Sequence, residues 1–239
     1  MAKLLLTQKA LVRSLTEKLG EKFSIMLGID LKSSKSSEIF KWFLASILFG
    51  ARITETIAIN TYREFEKRKV ITPDKILATG WDGLVDILDA GGYVRYDFKT
   101  ATKLLEIMKA LKEEYGGNLN ELHNQAADPR DLERRIKGLG KGIGDVTTNI
   151  FLRELRGIWT KADPLPTELV ILAARKLNLT KLDGCDEKEK KKILMTLKTI
   201  WNKNKVRDRD FANFEAALVR QGRDYCRKLR CDQCLLKKA

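Results

Sequence analysis

The sequence predicts an all-α protein, and three observations carry that expectation. Apolar residues recur at helical spacing, capping residues and prolines stand before the periodic runs, and no segment alternates apolar and polar residues long enough to make a strand. Leu104, Leu105, Met108 and Leu111 fall on one helical face, as do Phe211, Phe214 and Leu218. Roughly ten helices joined by short loops fit the 239 residues.

The elements follow in order. Residues 1–35 could pack on either of the modules that follow. Ser36 and Ser37 precede Ile39–Tyr62, read as one strong run with a serine cap. Pro73 opens another helix, where its missing N–H costs nothing. Gly91-Gly92, Gly116-Gly117 and the glycines from Gly138 to Gly144 punctuate the chain as turns. Residues 38–158 form the most regular helical array. Residues 185–239 hold all four cysteines and 16 Lys/Arg against 8 Asp/Glu, a net +8 of the chain's +14. That asymmetry suggests a helical core module followed by a basic, cysteine-bearing one.

A charge of +14 and a pI of about 9.6 argue for a polyanionic partner, either nucleic acid or an anionic membrane surface. The longest apolar stretches, such as Ile39–Phe49, are broken by lysine and shorter than a membrane span. The N-terminus lacks a long apolar core and a small-residue cleavage site, so the expected location is cytoplasmic, nucleoid-associated in a prokaryote. Composition excludes collagen, disulfide-scaffold and disordered classes. Cysteines in such a chain point to metal or redox chemistry sooner than to a disulfide framework.

The most informative segment runs Ile136-Lys-Gly-Leu-Gly-Lys-Gly-Ile-Gly-Asp145. A helix ends near Ile136, four glycines follow in seven residues, and a second helix begins near Asp145. Such glycines permit positive φ and leave no Cβ in the way of a ligand, and amides at the next helix start can hold a phosphate. Lys137 and Lys141 add charge. A plain helix–helix connection without a ligand is the other reading of the same residues. A nucleotide P-loop is excluded, because no Gly-Lys-Ser/Thr follows and no strand precedes.

This segment resembles the helix-hairpin-helix of the endonuclease III (HhH-GPD) superfamily of DNA glycosylases, whose hairpin reads Leu-Pro-Gly-Val-Gly-x-x-Thr-Ala. Gly142-Ile143-Gly144 falls on Gly-Val-Gly and Thr147-Thr148 on Thr-Ala. Phe43–Thr54 is similar to the family's early core helix and loop, Ala90–Arg95 with Lys99–Leu105 to its Gly-x-Tyr…Lys-Ala turn and helix, and Phe211–Leu235 to its C-terminal helix and cysteine block. The likeness is colinear over about residues 38–236.

The resemblance implies two helical lobes with a DNA-binding cleft between them: 36–158 as a six-helix core ending in the hairpin, and 1–35 plus 159–239 as the second lobe. It implies a monomer that acts on double-stranded DNA containing a damaged or mismatched base, with no membrane partner. Gly140, Lys141, Gly142, Ile143, Gly144, Val146 and Thr147 would meet the DNA backbone. Arg52 and Tyr93 fall where relatives fill the gap left by a flipped base. Of the aromatic residues, Trp42, Phe43, Phe49, Tyr96 and Trp159 are candidates to stack on that base, with core packing as the alternative. His123, the sole histidine, reads as a solvated or capping residue.

Base removal breaks an N-glycosidic bond through an oxocarbenium-like state that a nearby carboxylate stabilises. Bifunctional relatives add a lysine that attacks C1′ and forms an imine. In this register the lysine position is Val146, which implies a monofunctional enzyme. Pro166 falls on the aspartate position, leaving Asp163 as the first candidate carboxylate and Glu168 as the second. An Asp-Pro turn and a first-turn glutamate are their structural alternatives.

Cys226-x4-Cys231-x2-Cys234 is similar to the family's four-cysteine iron–sulfur loop but lacks a fourth thiol, which Cys185 alone can supply. A completed cluster, a zinc or disulfide replacement, and a vestigial loop with no required cofactor are the three readings. Monofunctional base excision is therefore the expected activity. An endonuclease III-type glycosylase/lyase and a non-catalytic damaged-DNA-binding protein of the same fold stand as alternatives.

Overall fold

A computed structural model describes residues 7–230 and Cys234. The protein is all-α; among the described residues no strand forms, and the one isolated bridge pairs Arg156 with Trp159. The helices are α1 (Gln8–Leu19), α2 (Phe23–Met26), α3 (Ser36–Phe49), α4 (Glu55–Lys67), α5 (Pro73–Ala90), α6 (Asp97–Tyr115), α7 (Leu119–Gln125), α8 (Pro129–Gly138), α9 (Asp145–Glu154), α10 (Glu168–Lys176), α11 (Glu187–Lys203) and α12 (Phe211–Arg220). A 3-10 turn covers Leu31–Ser33, and a π-helical turn, Gln221–Cys226, continues α12. No helix among the described residues is long and apolar enough to cross a membrane.

The chain divides into two compact units, 24–164 and 1–23 with 165–239. These boundaries differ from 36–158. The Ser24 amide donates to the wholly buried Glu154 carboxylate at 3.0 Å, Leu27, Ile29 and Leu31 are buried, and Asn120 Nδ2 donates to the Ser34 carbonyl. At the other end, the Trp159 indole donates to Asn120 Oδ1 at 3.0 Å. Residues 24–35 and 159–164 are therefore built into the larger unit.

In that unit α3 is apolar almost all round, the mark of a helix enclosed by others. Trp42 and Phe43 are fully buried; the Trp42 indole donates to the Phe151 carbonyl at 3.0 Å, and the Phe43 and Phe151 rings meet edge to face at 5.1 Å. These contacts seat α9 on α3. The expected single run from Ile39 to Tyr62 is two helices. α3 ends at its C-cap Gly50, where a Cβ would strike the Thr147 side chain of α9, and α4 starts behind Thr54, whose hydroxyl accepts from the Ile57 amide. Nor does serine cap α3: Lys35 holds the N-cap position and Ser36 is the first helical residue.

Pro73 opens α5 as expected, with the Thr72 hydroxyl accepting from the Lys75 amide. α5 is interrupted at Gly80 (φ 69°, ψ 178°) and packs along α6. α8 starts behind Asp128, whose carboxylate accepts from the Arg130 and Asp131 amides.

The second unit joins α1 to α10, α11 and α12 around Val12, Leu15, Val170, Leu197, Trp201 and Phe214, the last two rings stacked at 5.9 Å. Arg220 donates to the Leu19 and Glu21 carbonyls and lies over the Phe23 ring, and Asn213 donates to the Gly20 carbonyl at 2.7 Å. Residues from the start of the chain are thus locked onto α12. This unit carries 24 Lys/Arg against 12 Asp/Glu, whereas 24–164 carries 22 against 20. Nearly all of the basic excess lies outside the unit that contains the hairpin.

Candidate nucleic-acid interface

The hairpin between α8 and α9 is anchored by Leu139 and Ile143, both buried, while Lys141, Gly142, Gly144 and Val146 face solvent. Gly140 lies against Ile107 of α6, where a Cβ would come within 2.8 Å of Cγ1. Gly142 has φ +107°, a conformation that favours glycine. A Cβ there would stand 2.7 Å from Lys103 Cδ and 2.9 Å from its Nζ. The Lys103 side chain therefore runs along the hairpin backbone. Sequence reasoning missed it, because Lys103 looks like one more cation on an amphipathic helix.

Gly144 is the N-cap of α9 and supplies no side-chain acceptor to the amides of the first turn. Those amides carry the positive end of the helix dipole. Asp145 there is tied to Lys137 on the other arm of the hairpin. The arginines of α8 are occupied too: Arg130 pairs with Glu133, and Arg134 and Arg135 pair with Asp131. The Ala127 amide first, then Arg135, hold the Asp131 carboxyl at about 2. No ion pair engages Lys103 or Lys141 among the described residues. The cations available to an incoming anion at this turn are those two.

Gly50 against Thr147 sets the loop that carries Arg52 beside the start of α9. Arg52 is exposed, and Thr147 is buried in that contact rather than presented to a ligand. Tyr93 requires a correction: it is 1% exposed. Burial pushes its hydroxyl up to about 12, against a hydrogen bond with Thr100 that lowers it. It packs the turn before α6 and is not placed to fill a gap in DNA. Trp42, Phe43 and Trp159 are likewise core residues. His123 is half-buried and stacks on Trp159 with centroids 4.7 Å apart, a packing role that the solvated-or-capping expectation did not include.

Each candidate carboxylate has a basic partner. Asp163 pairs with Arg156, a buried side chain whose other terminal nitrogen donates to the Pro164 carbonyl. Arg156 follows the C-terminal end of α9, and Val146 is the second residue of that helix, about 12 Å of helix away. Glu168 is the first residue of α10 and pairs with Lys190 at 2.8 Å. Val146, in the lysine position, is 59% exposed and offers no amine.

The described thiols do not make one ligand set. Cys231 lies outside the described residues. Gln221 Nε2 donates to both Cys226 Sγ (3.5 Å) and Cys234 Sγ (3.2 Å). Cys185 stands apart from them, with Asp183 and Glu189. Burial, and then the carboxylates of Glu189, Asp186 and Asp183, push its thiol up. No family model matches the chain, and no curated protein matches it.

Proposed function

We propose that this chain is a DNA-binding protein, a divergent relative of the helix-hairpin-helix glycosylases, which grips the backbone of duplex DNA carrying a damaged or mismatched base. The observation that supports the reading is the hairpin itself: Gly142 at positive φ, with Lys103 laid along it and Lys141 exposed beside the start of α9. Backbone amides and two uncommitted ammonium groups converging on one turn suit a phosphate. Arg52, on the neighbouring loop, would meet the same strand.

Binding without base release is the form of this reading that the geometry favours. Excision needs a carboxylate at the sugar, and lyase chemistry needs an amine. Asp163 is engaged by Arg156, Glu168 by Lys190, and the lysine position is Val146. Monofunctional excision through Asp163 is the second reading, favoured by the partial exposure of that side chain, which leaves the carboxylate reachable from solvent.

A panel of duplexes, each with one lesion, mismatch or abasic site, tests both. Salt-sensitive binding with no strand breaks is the expected result. Breaks that appear only after alkali would establish excision, and breaks without alkali would establish lyase chemistry. Failure to bind any duplex would overturn the DNA-binding reading.

A further inference from the structure

We propose that Trp81 and Phe98 form a stacking platform for an unpaired nucleobase, on a strand whose phosphates follow α6 towards the hairpin. The inference rests on the DNA-binding reading above and adds a base-recognition site to it. Trp81 opens the second part of α5, just after the break at Gly80, and Phe98 stands in the first turn of α6. Their ring centroids are 5.3 Å apart, yet Phe98 is 58% and Trp81 39% exposed. The Trp81 indole N–H donates to Thr102 Oγ1 at 3.0 Å, and that hydroxyl donates to the Phe98 carbonyl at 3.0 Å. The pair is thus oriented by a polar tether while the rings remain open to solvent.

Charge selects the occupant. Phe98 and Thr102 are one turn apart on α6, and Lys99 and Lys103 form the adjacent row. Lys103 is the residue that lies along Gly142, so this row links the rings to the phosphate-holding turn. Arg95, whose guanidinium lies over Tyr96 at 5.4 Å, adds a third cation, and exposed Val94 extends the apolar surface. Exposed Asp82 and Asp86 follow Trp81 on α5, which turns a polyanion onto α6. Exposed rings interleaved with a cationic row are what single-stranded nucleic acid requires: bases stack on the rings and phosphates neutralise the cations. An apolar partner would have no use for Lys99 and Lys103.

The chain reports on this site directly. Trp42, Trp159 and Trp201 are buried, so Trp81 is the solvent-facing fluorophore of the four tryptophans. Titration with a twelve-residue oligothymidylate should quench its emission. A duplex with a one-base bulge should quench more than a perfect duplex of the same length. Phe98→Ala should weaken binding of the oligothymidylate roughly tenfold, with circular dichroism confirming an unchanged fold. Trp81→Phe should abolish the quenching and retain the affinity.

Wild-type affinity in Phe98→Ala, or no preference for the bulged duplex, overturns the platform and leaves the hairpin reading standing. If Lys141→Ala has no effect on duplex binding while Phe98→Ala weakens oligothymidylate binding, the hairpin reading fails and the platform survives. A wild-type dimer that Phe98→Ala converts to monomers without affecting oligothymidylate binding overturns the platform in favour of a second copy of this chain.

Discussion

Asp163 is held by Arg156, seven residues back along the chain, and the same guanidinium donates to the carbonyl of Pro164. The arginine side chain is buried and the aspartate partly exposed, so the pair fixes the stretch after α9 from the inside. Breaking a fully buried pair costs about 3–5 kcal/mol, but solvent screens this one from the aspartate side. Asp163→Asn should therefore cost about 1–2 kcal/mol in denaturant unfolding and leave duplex affinity unchanged. A variant of wild-type stability that alone abolishes base release would identify the carboxylate as catalytic.

The hairpin makes a separate prediction in salt. Each phosphate neutralised on a duplex contributes about −0.9 to the slope of log K against log salt. Lys141→Ala should flatten that slope by about one and weaken binding to all sequences alike. Gly142→Ala should act twice: alanine resists φ +107°, and its Cβ would displace Lys103. Affinity measured from 50 to 200 mM salt checks both, and an unchanged slope in Lys141→Ala counts against a phosphate at this turn.

What was legible in the sequence was what neighbours within one helical turn decide. Pro73 opened α5, the glycines closed α8 and Asp145 began α9, because each is a local backbone requirement. The α3–α4 break was not legible in the helical periodicity, although the family likeness of Phe43–Thr54 implied a loop there. Gly50 sits inside an apolar run, and the need for a residue without a Cβ there comes from Thr147, far along the chain. Tyr93 shows the same limit: Gly-Gly-Tyr suggests an exposed turn, but the tyrosine is folded under it. Of the candidate site, the hairpin was readable, whereas Lys103, Trp81 and Phe98 acquire meaning only when α5, α6 and the hairpin are side by side. Asp163 was readable as a carboxylate, but its commitment to a buried Arg156 was not.

The buried Tyr93 hydroxyl gives an alkaline test. Its ionisation is pushed from an ordinary value of 10.0 up to about 12, first by burial. In the unfolded chain the group loses its proton earlier, so its neutral form stabilises the fold below pH 10, and that contribution disappears as pH rises through 12. Tyr93→Phe should therefore shallow the fall of stability between about pH 10 and 12. Urea midpoints across that range for both proteins are the measurement, and identical slopes would show that the hydroxyl is not confined.

His123 makes the opposite prediction at acid pH. Burial first, and then the Lys161 ammonium, lower its pKa below the ordinary 6.5, against a hydrogen bond with Asn124 that raises it. Lys161 Nζ donates to the His123 carbonyl at 2.9 Å, which keeps that charge beside the ring stacked on Trp159. The unfolded chain takes up the proton first, so the neutral ring's contribution is complete above about pH 6.5 and falls as pH drops through the folded value. Because His123 is the sole histidine, one imidazole proton signal in an NMR titration reports its folded pKa without assignment. That signal should titrate below 6.5, and Lys161→Met should move it upward by removing the neighbouring charge. A midpoint at or above 6.5 in the wild type would mean that the imidazole is open to solvent and that the stack on Trp159 does not hold it.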